Sequence, residues 1–448
     1  MKRIRSSTRR LGPARAALLA VCAFLVAPTV LGAQSRRPNI VYINADDLGW
    51  ADLACYGNDF NRTPAIDQIA RQGMRFTQAY SCAPCCTPSR VGWVTGQHPA
   101  RLHMTGQASF YQDPPVRKLL HPHFDLELPA DTPTAAKALA AAGYVSVSLG
   151  KWGLGQSTTG HGYQRVEDAK DEAMTDLAVR FLREPPSSPF FLSVNYHWVQ
   201  SPLRPDAKLA AANRERVKTT RADRNPDYAA VMEQLDQAVG QILRAIDESH
   251  LADNTLLIFA GDNGGFLGHD DERYTSNAPL REGKSSLYEG GIRVPFIVRW
   301  PQVVPAGVSC DSPVNNLDFF PTLAALCGAP LPGGARDGVD ISPLLLGSAR
   351  EAPPRDMFWH FPHYRRSMAT IEASPASAVR HGDWKLLHFY EDDHVEVFNL
   401  REDPREQRDL AVAQPAQTAK LRRLLDDWRT AVTAQPPLRN PLYGFKGF

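Results

Sequence analysis

Apolar positions along this chain follow two rhythms. Short strand-like apolar runs recur at 39–44 (NIVYIN), 144–149 (YVSVSL), 190–196 (FFLSVNY), 255–260 (TLLIFA) and 294–300. They read as strands, with 39–44 as a buried one. Helical segments lie between them. Residues 65–73 form a short helix closed by glycine, and 134–142 an alanine-rich one also followed by glycine. Residues 228–248 place Val231, Leu235, Val239, Leu243 and Ile246 on one stripe. Strands separated by helices require crossover connections. The pattern therefore predicts an α/β fold with a large, mostly parallel sheet sandwiched by helices.

The rhythm changes towards the C-terminus. Pro/Gly-rich stretches near 328–338 and 349–355 loosen it. Hairpin strands are then expected at 378–390 and 395–400, and a closing helix at 418–432. This divides the chain into a leader at 1–33, a large domain at 34–350 and a small C-terminal α+β subdomain at 351–448, with an antiparallel sheet and closing helix. The leader has a basic start (Lys2, Arg3, Arg5, Arg9, Arg10, Arg15), an apolar run over 16–26 and small residues at Gly32 and Ala33. That is the pattern of a signal peptide, and the run is too short to span a bilayer. Pro28 also argues against a membrane anchor. A lipid-attachment site at Cys22, after Val21, is a third reading. Export to a periplasmic or extracellular location, without stable membrane insertion, is expected.

The 448 residues are 43% hydrophobic and 22% charged, an ordinary globular composition. The formal charge of +2 misleads. With the six basic residues of the leader removed, 44 basic residues face 48 acidic ones, a net of −4. No basic stripe follows, so nucleic acid is excluded as a partner. Besides Cys22 there are Cys55, Cys82, Cys85, Cys86, Cys310 and Cys327. Export permits disulfides, and Cys310 with Cys327 is one candidate pair.

In open parallel sheets, ligands bind beyond the carboxyl ends of the strands. The first strand runs into Asp46-Asp47, the second into Lys151, the third into His197 and Gln200, and the fourth into Asp262-Asn263-Gly264-Gly265. Turns favour Asp, Asn and Gly, but four convergent ends outweigh that coincidence. Asp46, Asp47, Asp262 and Asn263 offer hard oxygen ligands, which suit Ca²⁺ or Mg²⁺ rather than zinc. In the segment Cys86-Thr87-Pro88-Ser89-Arg90, Pro88 suits a first helical position. Residue 86 then lies just before a helix N-terminus, where an anion is favoured. Arg90 can fork onto a tetrahedral oxyanion, and Lys151 and Lys284 can add two cations. The composite is a site for a small polyvalent anion beside a divalent metal, which means sulfate or phosphate ester chemistry. A bare Cys86 thiolate is an alternative nucleophile.

From Arg37 to about Arg429 the chain resembles the formylglycine-dependent sulfatases of the alkaline-phosphatase superfamily. CTPSR at 86–90 matches their C-x-P-S-R signature. It sits between RPNIVYINADDLGWADLACYGN and TGQHPARLHMTG. GKWGLG (150–155), GDNGG (261–265), SNAPLREGKSSLYEGGIRVPFIVRWP (276–301) and FNLREDPREQRDLA follow in the family's order. The resemblance implies that a formylglycine-generating enzyme oxidises Cys86, that Asp46, Asp47, Asp262 and Asn263 hold Ca²⁺ together with residue 86, and that Arg90, Lys151 and Lys284 hold sulfate. One oxygen of the aldehyde hydrate attacks sulfur, the alcohol leaves, and collapse of the second hydroxyl expels sulfate. Residues 34–350 are then the catalytic domain of a sulfuric ester hydrolase. Two positions depart from the pattern: Gly153 and Gln200 stand where the family usually has histidines that assist the diol and protonate the leaving alcohol. Glutamine can bind substrate but cannot titrate. His197 and His269 are the candidates to replace them, with His197 expected to be catalytic; the alternatives are a substrate with an easy leaving group or reduced activity. SNAPLREGK and WHFPHY resemble sulfatases of sulfated polysaccharides, including galactose-based algal glycans. Tyr364, Arg365 and Arg366 are either sugar contacts or ordinary surface residues. The competing readings are a phosphate or phosphonate ester hydrolase and a catalytically impaired protein that binds sulfated glycans.

Overall fold

The structure, a computed structural model, describes residues 37–108, 117–217, 224–268, 272–333, 336–364 and 374–444. The expected leader with Cys22, as well as His269, Arg365 and Arg366, lies outside them. Among the described residues the central sheet has eight strands: β1 (Asn39–Ala45), β2 (Met74–Phe76), β3 (Val145–Gly150), β4 (Arg165–Glu167), β5 (Phe190–Tyr196), β6 (Thr255–Gly261), β7 (Phe296–Arg299) and β8 (Val308–Cys310). Their order is β8-β2-β7-β6-β1-β5-β3-β4. The run from β6 to β4 is parallel, while β7 is antiparallel to both its neighbours. All five apolar runs are strands, and β1, β5 and β6 are buried along their whole length. β7 starts only after Pro295, which has no N–H to offer the ladder.

The sheet is covered by α1 (Pro64–Gln72), α2 (Cys86–Thr95), α3 (Ala135–Ala141), α4 (Asp171–Arg183), α5 (Pro226–Glu248) and α6 (Phe319–Cys327). α1, α4 and α5 fill one face, with the predicted stripe of α5 wholly in the core. α2, α3 and α6 fill the other. α5 begins two residues earlier than its periodicity indicates because Asn225 caps it, accepting from the backbone N–H groups of Asp227 and Tyr228, with Pro226 at the first helical position.

A second sheet, β9 (Asp356–Phe361), β10 (Ala376–His381), β11 (Trp384–Phe389) and β12 (Val395–Asn399), is antiparallel in chain order. Alternation divides its side chains. Trp359, Phe361, Ala378, Leu387 and Phe398 pack on Tyr80, Cys85 and Phe124. Val379, Leu386 and Val397 lie under Leu421 and Leu425 of the closing helix α7 (Pro415–Ala431). Both sheets belong to one compact unit, Arg37–Phe448. A buried polar cluster joins them. Lys385 of β11 is fully buried, with Nζ 2.9 Å from Glu289 Oε1 and 2.8 Å from Glu406 Oε1. Tyr80 donates to Glu289 at 2.6 Å and accepts from Arg380 at 2.6 Å.

The six described cysteines are free thiols, so Cys310 and Cys327 are not paired; both are buried. No helix among the described residues is long and apolar enough to cross a membrane.

Candidate active site

Strand register brings the four reactive ends to one edge. Asp262 follows β6, Asp46 and Asp47 follow β1, His197 follows β5 and Lys151 follows β3, and these strands are neighbours in that order. Adjacent strands lie about 4.8 Å apart, so the ends are side by side. The Asp46 N–H donates to the Tyr196 carbonyl at 3.1 Å. Asp47 takes a left-handed backbone (φ 62), which aspartate tolerates better than most residues. Its N–H donates to Asp262 Oδ1 at 2.9 Å. Gly264 is required here, because a Cβ would lie 1.9 Å from the Gly290 carbonyl oxygen. That close approach seats the segment carrying Lys284, whose N–H donates to the Gly265 carbonyl at 3.1 Å.

α2 starts at Cys86 itself, two residues before its expected start. Pro88 falls in the first turn, where no intrahelical N–H is needed. Cys86 is 1% exposed, with Sγ 3.6 Å from Asp47 Oδ1. Ligand atoms of Asp46, Cys86 and Asp262 all lie within 4.8 Å of one another. One turn along α2, Arg90 donates from Nη2 to Asp46 Oδ1 at 3.1 Å and from Nη1 to Asn195 Oδ1 at 2.6 Å. Lys151 Nζ is 2.5 Å from Asp46 Oδ2, and Lys284 Nζ is 2.7 Å from Asp47 Oδ2. Ser89 donates to the Asp262 carbonyl and fixes the helix against that turn. Ser89 is part of the CTPSR signature, but Asn195 carries no signal in the sequence beyond an ordinary strand position.

Burial and charge oppose each other in this cluster. Burial works against ionisation of Asp46, but Lys151 and Arg90 overcome it and hold its carboxyl below the usual range. Asp262 is pushed up to about 7 by burial and by the charges of Asp46 and Asp47. Burial, reinforced by Asp262, holds the Cys86 thiol well above its ordinary value. Two buried oxygens, Asp262 Oδ2 and Asn263 Oδ1, have no hydrogen-bond donor. Orphaned acceptors among three carboxylates fit a divalent cation with oxygen ligands.

Position 153 does face this cluster. Gly153 has φ +66, and a Cβ there would lie 3.3 Å from Arg90 Nε and 3.8 Å from Lys151 Cε. Arg90 Nε has no acceptor. Gln200 lines a pocket of about 530 Å³ together with His197, Trp198, Lys170, Asp171 and Arg204. Tyr364 is not a surface residue: it is buried, donates to Glu391 at 2.6 Å and lies under the Arg117 guanidinium.

The family model described as Sulfatase matches residues 38–329. This chain belongs to the sulfatase family. It is a sulfatase, and its reaction is the hydrolysis of sulfate esters. A second family model, N-sulphoglucosamine sulphohydrolase, C-terminal, matches residues 283–431. Human arylsulfatase A is 33% identical, with 85% of this chain and 79% of the relative aligned. The N-acetylgalactosamine-6-O-sulfatase of Bacteroides thetaiotaomicron is 29% identical over 89% of this chain and 94% of its own length. Among solved structures, Ps i-CgsB in complex with k-i-k-neocarrahexaose superposes with a TM-score of 0.74 at 26% identity, covering 88% of this sulfatase and 93% of that chain.

Proposed function

We propose that this sulfatase releases inorganic sulfate from a sulfated carbohydrate, with residue 86 oxidised to formylglycine by a formylglycine-generating enzyme and with Ca²⁺ held by Asp46, Asp47, Asp262, Asn263 and residue 86. The observation that carries this reading is the arrangement around Cys86. A buried helix-start residue meets three carboxylates on one side and Arg90, Lys151 and Lys284 on the other. The carboxylate-rich set favours Ca²⁺ over Mg²⁺, which keeps more of its own water. The sugar substrate draws support from the Bacteroides N-acetylgalactosamine-6-O-sulfatase and from the neocarrahexaose bound by Ps i-CgsB.

A hydrated formylglycine supplies an oxygen nucleophile with a built-in route to release sulfate, and a bound divalent cation supplies Lewis acidity. The chain's own groups do the rest. Arg90, Lys151 and Lys284 orient the sulfate oxygens and offset the charge that grows on them in the transition state. Burial of Asp46, Asp47 and Arg90 keeps water away and strengthens those contacts. Gln200 offers the substrate a hydrogen bond from the outer pocket, and His197 is the catalytic histidine. Residues 34–350 form the catalytic domain and 351–448 the C-terminal subdomain, exported behind the leader at 1–33.

A second reading follows from Gly153 and Gln200: a sulfated-glycan-binding protein of reduced activity. One experiment separates the two. The protein is produced with the maturation enzyme, and the peptide spanning 81–90 is weighed; conversion of Cys86 lowers its mass by about 18 Da. The converted protein is then offered sulfated oligosaccharides, an aryl sulfate and an aryl phosphate. Sulfate release with little phosphate release is expected. Unconverted Cys86 refutes the mechanism, conversion without turnover supports the binding reading, and preferential phosphate release supports the phosphohydrolase.

A further inference from the structure

A cleft of about 920 Å³ lies where the central sheet meets the C-terminal one. Gln78 and Ser312 come to it from the ends of β2 and β8, and Met357 and Arg380 from β9 and β10. Arg380 is only 4% exposed. Its guanidinium donates from Nε to the Gly382 carbonyl at 2.9 Å, from Nη1 to the Tyr80 hydroxyl at 2.6 Å and from Nη2 to Gln78 Oε1 at 2.7 Å. All three acceptors are neutral, and two of the five guanidinium N–H groups are left over. The other buried arginines of the cleft have carboxylates: Asp318 takes Arg355, and Glu289 takes Arg293 at 3.5 Å. The charges behind the cleft show the same excess. Three cations, Lys385, Arg293 and Arg380, meet two carboxylates, Glu289 and Glu406. Burial pushes Glu406 up to about 7, which widens the excess below that pH. A guanidinium cannot give up its proton, so its burial leaves a positive charge for an anion to balance. The acids of the cleft do not balance it. Asp356 is taken by His381 and Asp383 by Arg401, each at 2.6 Å, while Asp311 and Glu351 are exposed, where water and salt screen them.

We propose that this cleft is an oxyanion site, with Arg380 as its cation and a sulfate group as its ligand. It shares no residue with the cradle around Cys86 and does not depend on the formylglycine mechanism. Its donors are the two remaining N–H groups of Arg380, the Gln78 amide N–H groups and the Ser312 hydroxyl. Ser312 Oγ already accepts the Ala352 N–H at 2.8 Å, which leaves its own O–H to donate. A sulfate accepts from all of them, and no bond is made or broken. The volume is within the range of small-ligand sites, so there is room for a sugar beside the sulfate. The same group can therefore arrive as free sulfate, the product of the reaction, or as a sulfate carried on a sugar chain.

The test supplies the missing charge from within. Gln78→Glu keeps the acceptor for Arg380 Nη2 and gives that cation a carboxylate of its own. In sulfate-free buffer its Tm should equal or exceed that of the wild type; a lower Tm shows that the charge was already balanced and overturns the proposal. Equilibrium dialysis with radiolabelled sulfate, at constant ionic strength, then counts sites on the matured, Ca²⁺-loaded enzyme. Two sulfates per chain are expected in the wild type, one in the cradle and one in the cleft. Gln78→Glu should weaken the cleft site by about tenfold or more, and Lys151→Ala should weaken the cradle site instead. A wild type with no site, a wild type with one site that Lys151→Ala abolishes, or two undiminished sites in Gln78→Glu each overturn the proposal. A sulfated oligosaccharide and its unsulfated parent are last offered to Lys151→Ala. Tighter binding of the sulfated chain than of free sulfate makes the polymer the ligand, and the reverse makes it the free product. Equal binding of the unsulfated parent overturns the oxyanion site.

Discussion

Substitution Asp262→Asn tests the metal reading most directly. Asp262 Oδ2 and Asn263 Oδ1 are buried without donors, and each such acceptor costs about 1–3 kcal/mol. A cation that binds there relieves several kcal/mol of strain between solvent-deprived oxygens. At a calcium concentration about 100 times Kd, linkage gives about 2.7 kcal/mol of added stability. The compact unit runs from Arg37 to Phe448. At about 2.1 cal/mol/K per residue, its unfolding entropy is roughly 0.9 kcal/mol/K, so the expected gain is about 3 °C in Tm. The assay is differential scanning calorimetry of the matured protein in chelator, then with Ca²⁺, then with Mg²⁺. Asp262→Asn removes one of three clustered charges and retains an acceptor for the Asp47 N–H. Its Tm in chelator should equal or exceed that of the wild type, and its calcium increment should fall below about 1 °C, since losing a charged ligand weakens binding by orders of magnitude. An undiminished increment in Asp262→Asn, or none in the wild type, refutes the assignment.

Three further outcomes are expected. Arg90→Met leaves the buried Asn195 Oδ1 without its donor and takes one of two cations from Asp46, which keeps Lys151; it should destabilise the protein by about 2 kcal/mol, read as a lower urea midpoint, with loss of sulfate release. Gly153→Ala places a Cβ in a left-handed backbone (φ +66) at 3.3 Å from Arg90 Nε; about 1 kcal/mol of stability should be lost, and turnover should drop only a few-fold. Glu406 is pushed up to about 7 by burial and by the Glu289 charge, against the pull of Lys385. A raised carboxyl stabilises the fold below its ordinary value near 4.5, and that stability is lost as pH rises through about 7. Thermal melts at saturating Ca²⁺ should therefore show a fall in Tm between pH 5 and 7.5 that is smaller in Glu406→Gln, where Asp236, pushed up to about 6 by burial, still contributes.

Much of this site is legible in the sequence because parallel strands deliver their ends to one edge. The run at 39–44, with four apolar residues between two asparagines, reads as an interior strand, and that places Asp46 and Asp47 after it at the edge. The same argument places Lys151, His197 and Asp262. It fails for groups whose role comes from a partner far along the chain. Asn195 reads as one polar residue within a buried strand, yet it holds Arg90 at 2.6 Å. Asp171 reads as an acid in a polar helix start, yet it accepts from His197, 26 residues away. Tyr364 misled in the opposite sense: an aromatic next to two arginines looks exposed, but Glu391 and Leu119 satisfy its hydroxyl in the interior.

The C-terminal sheet gives the clearest case of this limit. Its alternating pattern predicts strands and says nothing of why Lys385 points inward. The answer lies in the segment that carries Lys284. Five residues beyond that lysine, Glu289 is fully buried, and burial would keep it neutral. Lys385, Arg293 and Arg380 reverse this and hold its carboxyl down at about 2. Glu406 accepts the Glu289 N–H at 2.7 Å and its own carbonyl accepts from Arg281 at 3.0 Å, so the segment 281–289 is gripped at both ends by residues from beyond 380. Lys284 lies between those grips, 2.7 Å from Asp47. A cation must be placed to within a fraction of an ångström to favour a transition state over water. The second sheet therefore belongs to the active site: it contributes the rigidity of Lys284 without contributing Lys284 itself.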